Sequence, residues 1–495
     1  MSFTGLPFFA ILIGTVLMYF IVPSRFRWIV LLLFSIVFYV LSAGWQPLLV
    51  VVITAAASWY IALKMGEMDQ KQKRRPYHIF IVILLLSLLI ITKLVRFTGV
   101  LADWIIVPLG ISYYTFSLIS YETDIYYNKA KPEKSFPKLL LLTLFFPKII
   151  QGPISRFHEL GKDLFEGHTY DWNRMCFGLQ RMLFGYFKKL VIAERAGMMT
   201  SKVFNDFSSY SGGGSILLIA SVIGAFRLYC DFSGYMDIVV GFCEILGIRL
   251  EENFNHPFFS KTVSEFWRRW HITLGAWFKD YVYMPLSVDP CLIRESGKIR
   301  KKYGKKAAKN FLQCVPLAVV WILTGLWHGT GIDYLAWGIY WGTLIILSNL
   351  LAPFFRSVKT KLHISDQSRF WHLFQMLRTF CIFTVGLLIS TYAGIANIPL
   401  CFKQFFLYPR VHSLTDGTLF YYGLGQVDME IFVICAVALL MIEAAEERGA
   451  SIRQTVGRWH PVLRWTIYAA AIVFVVLFGI FGPGFSISGF AYAYF

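Results

Sequence analysis

Leu6-Pro-Phe-Phe-Ala-Ile-Leu-Ile-Gly-Thr-Val-Leu-Met-Tyr-Phe-Ile-Val22 runs without a charged side chain, and stretches like it recur along the whole sequence. A helix needs roughly 20 mostly apolar residues to cross the hydrocarbon core of a bilayer. Outward from this first stretch come Trp28–Leu41, Leu48–Leu63, Ile79–Ile91, Cys314–Leu326, Tyr334–Leu351, Phe374–Ile389, Ile431–Ile442 and Leu463–Phe481. Less regular apolar segments lie within Trp104–Ser120, Leu139–Ile150, Met175–Ile192 and Ile216–Ile248. The expectation is an all-α polytopic membrane protein, one domain over residues 1–495, with about 11 to 13 spans, some short or re-entrant where Pro and Gly interrupt them. No charged leader or small-residue cleavage site precedes Leu6, so that segment reads as a retained span.

Composition agrees: 57% of the residues are hydrophobic and 15% charged, outside the range of soluble domains. The net charge of +18 raises the question of nucleic acid. Its basic residues, however, sit in short loops beside apolar spans: Lys71, Lys73, Arg74 and Arg75, then Lys298, Arg300, Lys301, Lys302, Lys305 and Lys306, then Arg448, Arg453 and Arg458. That is the positive-inside pattern of a bilayer protein, with these loops cytoplasmic and both termini outside, and it implies no nucleic-acid partner. The polar connections Tyr126–Lys138, His158–Arg174, Ser287–Asn310 and Arg356–Phe370 suit loops or interfacial helices. Eight scattered cysteines form no Cys-x-x-Cys pair, so neither a disulfide framework nor a metal site is expected. Cys291, beside a basic loop, is a candidate for palmitoylation. No internal repeat marks a transporter.

Between Arg227 and Asp280 the chain stays hydrophobic yet carries Asp231, Asp237, Glu244, Arg249, Glu265, Arg268, Arg269, His271, Lys279 and Asp280. Each ionisable group at membrane depth costs roughly 2.5–3.5 kcal/mol, so such groups face a polar interior and mark the place for chemistry. In Glu265-Phe-Trp-Arg-Arg-Trp-His271, Glu265 is spaced to meet Arg268 and Arg269 along a helix. Trp267, Trp270 and Trp277 suit an interfacial depth. The surrounding positive charge is expected to keep His271 neutral. In Gly325-Leu-Trp-His-Gly-Thr-Gly331, His328 ends an apolar span between glycines that admit close backbone approach. General base catalysis on a hydroxyl asks for a group titrating near neutrality, which imidazole supplies. No Gly-x-Ser-x-Gly elbow accompanies either histidine, so direct transfer from a thioester to an alcohol fits better than a serine-hydrolase route.

Phe226-Arg-Leu-Tyr-Cys-Asp-Phe-Ser-Gly-Tyr-Met-Asp237, Glu252-Asn-Phe-Asn-His-Pro257, Glu265–Leu274, Trp277-Phe-Lys-Asp-Tyr-Val-Tyr-Met-Pro-Leu286 and Trp327-His-Gly329 together resemble the membrane-bound O-acyltransferase family. Pro108–Phe116 and Gln151-Gly-Pro-Ile-Ser-Arg156 are similar to its bacterial branch of alginate and peptidoglycan O-acetylating proteins and the teichoic-acid D-alanyl transfer protein. The likeness spans residues 108–341. It implies a ring of helices around a thin core, His328 as the catalytic residue and His271 as a second active-site residue. Trp327, Arg268, Arg269, Asp231, Tyr235, Asn255, Lys279 and Asp280 are implied substrate-binding residues. No bound cofactor or metal is implied; acetyl-CoA or another acyl thioester or acyl carrier is the donor, in a bacterial cytoplasmic membrane. The ending Phe490-Ala-Tyr-Ala-Tyr-Phe495 resembles the aromatic terminus of the acetylating members. That implies Tyr492, with Tyr494 in competition, as a covalent acyl acceptor. An extracytoplasmic SGNH-type esterase or transferase partner would then pass the group to polysaccharide. A D-alanyl transferase and a polysaccharide or lipid transporter are the alternatives.

Overall fold

The computed structural model describes residues 5–98 and 106–482. Among these the chain is almost wholly helical, and its one β element is an isolated antiparallel bridge between Phe254 and Trp270. Backbone hydrogen bonds in a bilayer have no water to turn to, which is why long apolar runs close them internally as helices. Among the described residues seven helices are long and apolar enough to span a membrane: residues 24–43, 45–66, 71–95, 214–246, 290–328, 369–392 and 461–478. Ile332–Leu350, bent by 58° against Ala352–Lys361, makes an eighth if that pair counts as one span. Of the apolar segments expected beyond these, Ile431–Ile442 lies in the 22-residue helix Gln426–Glu447, and others fold as shorter pieces, including Leu6–Ile21, Ile111–Tyr126, Phe136–Leu144 and Trp172–Tyr186.

The polar connection Ser287–Asn310 is helical. Asp289 caps it by accepting from the Cys291 and Leu292 N–H groups at 2.9 and 3.1 Å, and Pro290 occupies the first turn, where a missing N–H costs nothing. Gly304, at φ 86° and ψ 172°, then breaks the helix. That conformation suits a residue without Cβ, and it separates a basic amphipathic arm from the apolar span ending at His328.

By its internal packing the chain divides into two compact units, one of Met1–Leu190, Asp231–Glu252 and Val456–Phe495, the other of Val191–Cys230 and Asn253–Thr455. The first unit carries a buried ion network: Arg181 reaches Asp237 at 3.0 Å and Glu252 at 2.6 Å, Lys188 pairs with the same Asp237, and Lys189 pairs with Asp231. Helix Ile111–Tyr126 is buried on nearly every side there. Both candidate histidines belong to the second unit.

Candidate active site

The segment that carries His271 is assembled from local signals and one long-range register. Thr262 caps helix Val263–Arg269 by accepting from Glu265 N–H at 3.1 Å, while the Glu265 carboxylate accepts from Lys261 N–H at 2.9 Å, a close variant of the capping box. Glu265 also meets Arg269 at 2.9 Å, one turn along, whereas Arg268 is exposed. Past the helix, Asn255 N–H donates to Arg269 O at 2.9 Å and Ile272 N–H donates to Asn253 O at 3.0 Å, on either side of the Phe254–Trp270 bridge. These bonds hold His271 at φ 47° and ψ 52°, a left-handed conformation that few non-glycine residues adopt and that surrounding structure must over-determine.

Asn253 then decides the state of the imidazole. Its Oδ1 accepts from Thr273 N–H at 3.0 Å and from the Thr273 hydroxyl at 2.8 Å, and it lies 3.4 Å from His271 Nδ1. A backbone N–H can only donate, so the amide atom facing it is the oxygen. The Nδ1 facing that oxygen is therefore the protonated nitrogen, and Nε2 carries the lone pair. Only 3% of His271 is exposed, and burial pushes its imidazole down to about 3. Desolvation, rather than the neighbouring positive charge expected from the sequence, keeps it neutral.

His328 ends its span against the helix that returns immediately after it. A Cβ on Gly325 would lie 2.5 Å from the Tyr334 carbonyl oxygen, and one on Gly338 would lie 2.4 Å from that of Trp321. The two helices thus meet backbone to backbone, which brings ring systems of both onto His328. Its imidazole stands 4.8 Å from Trp337 and 4.9 Å from Trp327, centroid to centroid, and lies nearly parallel to Tyr334 at 6.5 Å. Trp327 packs also against His271, at 6.0 Å, so one indole touches both imidazoles. Trp267 is edge-on to Trp321, Trp337 and Trp341 at 4.9–5.5 Å. The histidines therefore sit in an aromatic wall, where any charge is poorly screened.

The remaining expected residues scatter. Arg269 makes two bonds of 2.8 Å to Glu447, and His256 reaches Glu446 and Glu447 at 3.2 and 3.4 Å. Those carboxylates raise the His256 imidazole above its ordinary value, and Arg269 lowers Glu447. This network ties the segment to the end of helix Gln426–Glu447. Asn255 and Lys279 are exposed, and Asp280 is half-buried, the last two in a π-helical turn at Lys279–Tyr283. Asp231 and Tyr235 fall in the other unit, Asp231 paired with Lys189 and Tyr235 donating to Pro147 O at 2.9 Å. Tyr492 and Tyr494 lie outside the described residues. Asn253 and Trp337, which the motifs did not single out, touch the imidazoles directly. Asn253 stands within the Glu252–Pro257 motif, but only the Thr273 contact tells it from Asn255. Among the described residues no cluster of His, Cys, Asp or Glu could hold a metal ion.

The profile of MBOAT, the membrane-bound O-acyltransferase family, matches residues 31–291, a stretch that includes His271 and ends before His328. The chain is 30% identical to a probable alginate O-acetylase of Pseudomonas fluorescens over 68% of its own length and 63% of that protein's. It is 29% identical to a peptidoglycan O-acetyltransferase of Helicobacter pylori, over 63% of this chain and 62% of the relative. It is 28% identical to a teichoic acid D-alanyltransferase of Bacillus subtilis, over 51% and 61% respectively. The chain thus spans less than two thirds of the length of these curated relatives.

Proposed function

Because the chain belongs to the membrane-bound O-acyltransferase family, we propose that it is an enzyme that moves an acetyl group from a cytoplasmic thioester, acetyl-CoA, to polysaccharide at the bacterial cell surface. The observation that carries this reading is the pair of buried imidazoles on Trp327, one of them oriented by Asn253 through its Nδ1. The relatives named for O-acetylation of alginate and peptidoglycan support the choice of reaction.

In this reading His328 takes the proton of an acceptor hydroxyl as the oxygen attacks the thioester carbonyl. The C–O bond forms, the C–S bond breaks, and the leaving thiolate takes the proton back from the imidazolium, so the enzyme ends neutral. Neutral His271 assists by accepting a hydrogen bond at Nε2. Trp327, Arg268 and Lys279 are the proposed substrate contacts. The first acceptor is the Tyr492 phenol: with a pKa near roughly 10 it is activated by imidazole more easily than an aliphatic alcohol, and its ester is a better donor. An SGNH-type partner outside the cytoplasmic membrane then delivers the acetyl group to alginate, peptidoglycan or a similar polymer. The basic loops are cytoplasmic and both termini extracytoplasmic. A D-alanyl donor, which the teichoic acid relative favours, is the second reading; the aromatic motif on the same chain favours acetyl.

The test is incubation of the purified protein with acetyl-labelled coenzyme A, followed by proteolysis. Label on the C-terminal peptide and release of coenzyme A are expected for wild type and lost in His328→Ala. Turnover with a D-alanyl thioester but not acetyl-CoA would move the assignment to the second reading. Undiminished coenzyme A release by both His328→Ala and His271→Asn would overturn the mechanism.

A further inference from the structure

We propose that the cavity bounded by Arg369, His372, Met376 and Arg448 binds the phosphate headgroup of an anionic phospholipid. The cavity encloses about 590 Å3, enough for a phosphodiester and the first atoms of its glycerol. Among the described residues neither Arg369 nor Arg448 is paired with a carboxylate, in contrast to Arg269, which holds Glu265 and Glu447. Glu447, the carboxylate next to Arg448 in sequence, is thus already engaged.

The setting adds to the charge. Arg369 opens the helix Arg369–Leu387, which Ser368 caps by accepting from Trp371 N–H at 3.4 Å, so the positive end of the helix dipole faces the same region. His372 is held in place by donating its Nε2–H to the Asp366 carbonyl oxygen at 2.6 Å. Met376, one turn along, gives the cavity an apolar floor. Phe370, Leu373, Phe374 and Leu377 are exposed on this helix, which is one of the seven spans, and their surface is the one that lipid chains cover.

A phosphate ester is the shared chemistry of a phospholipid and of coenzyme A. The lipid fits better, because a guanidinium pair at the end of a span beside lipid-facing rings takes headgroup and chain together. Nothing in this depends on the acyl-transfer reading.

The test compares phosphatidylglycerol with phosphatidylcholine in mixed micelles, using native mass spectrometry of retained lipid on the purified full chain. Wild type is expected to prefer phosphatidylglycerol, and raised salt to erode that preference. Arg369→Gln/Arg448→Gln is expected to lose roughly 30-fold of it, taking about 1 kcal/mol for each arginine near an anionic surface. If that double variant does not fold, Arg369→Lys/Arg448→Lys keeps the charge and must keep most of the preference. An unchanged preference in a folded glutamine variant, a salt-insensitive preference in wild type, or displacement of phosphatidylglycerol by coenzyme A alone would overturn the assignment.

Discussion

Replacing Asn253 separates a catalytic tautomer from mere packing. In Asn253→Ala the Thr273 N–H loses its acceptor at 3.0 Å inside a buried site, which costs about 1–3 kcal/mol of stability. The Thr273 hydroxyl loses a second bond, of about 0.5–1.5 kcal/mol. His271 Nδ1 also loses the oxygen that keeps its proton there, so Nε2 is protonated in part of the population. A fall in kcat of the order of 10-fold or more is expected, a part of the roughly 10²–10⁴-fold that a positioned acid–base group contributes. Asn253→Asp keeps the acceptor oxygen but adds a negative charge beside an imidazole that burial holds at about 3. The charge raises that value towards neutrality. The aspartate variant should therefore recover most of the alanine variant's loss at high pH and lose activity again as pH falls through the raised value. The assay is coenzyme A release from acetyl-CoA, with kcat and KM measured between pH 5.5 and 9 beside melting curves in detergent. Alanine and aspartate variants with the same kcat and the same pH profile as wild type would refute the tautomer argument, whatever their stability.

The other predictions probe backbone, pH and chemistry. His271→Asn should keep the melting temperature near wild type, because asparagine tolerates the left-handed region at φ 47°, while His271→Val should unfold far more easily; equal melting temperatures would remove the claim of backbone strain. Because folded His271 titrates at about 3 against roughly 6.5 unfolded, the unfolded chain binds protons first as pH falls, and stability declines by up to about 1.4 kcal/mol per pH unit below roughly 6.5. His256 has the opposite sign, since its raised value gives stability that is present below its unfolded pKa and lost as pH rises through the folded one. Thermal melts of His271→Asn and His256→Asn across pH should therefore both depart from wild type at the acid end, the first by resisting acid better than wild type and the second by losing the acid-side stability that wild type has. Gly338→Ala would place a Cβ 2.4 Å from Trp321 O and should cost about 1–3 kcal/mol, read as a lower melting temperature together with reduced turnover as Trp337 shifts from His328. Tyr492→Phe should abolish label on the C-terminal peptide while Tyr494→Phe retains it; the reverse would make Tyr494 the acceptor.

The sequence alone determined the solvent of this protein and the family it belongs to. Uncharged runs such as Trp28–Leu41 find no partners for their backbone groups in hydrocarbon, so they settle as helices in a bilayer, and charges such as Asp231 and Asp237 in an apolar region must find partners. Short-range signals were equally readable: Thr262 with Glu265 as a cap, and Glu265 with Arg269 one turn apart. Which apolar segments become full spans was not readable, because length and hydropathy do not reveal how far a broken helix continues in its neighbour. Of the two asparagines in Glu252–Pro257 the motifs pointed to Asn255, whereas Asn253 is the one that reaches the His271 imidazole. Thr273 and His271 make that choice, returning from some twenty residues away through the bridge at Phe254 and Trp270. Tertiary structure likewise gave His328 its surroundings, since Gly325 and Gly338 are glycines in any sequence but fix a helix crossing only when set against each other. Residue types restrict what chemistry is possible; burial and contacts across the chain set the protonation and orientation of an imidazole such as that of His271.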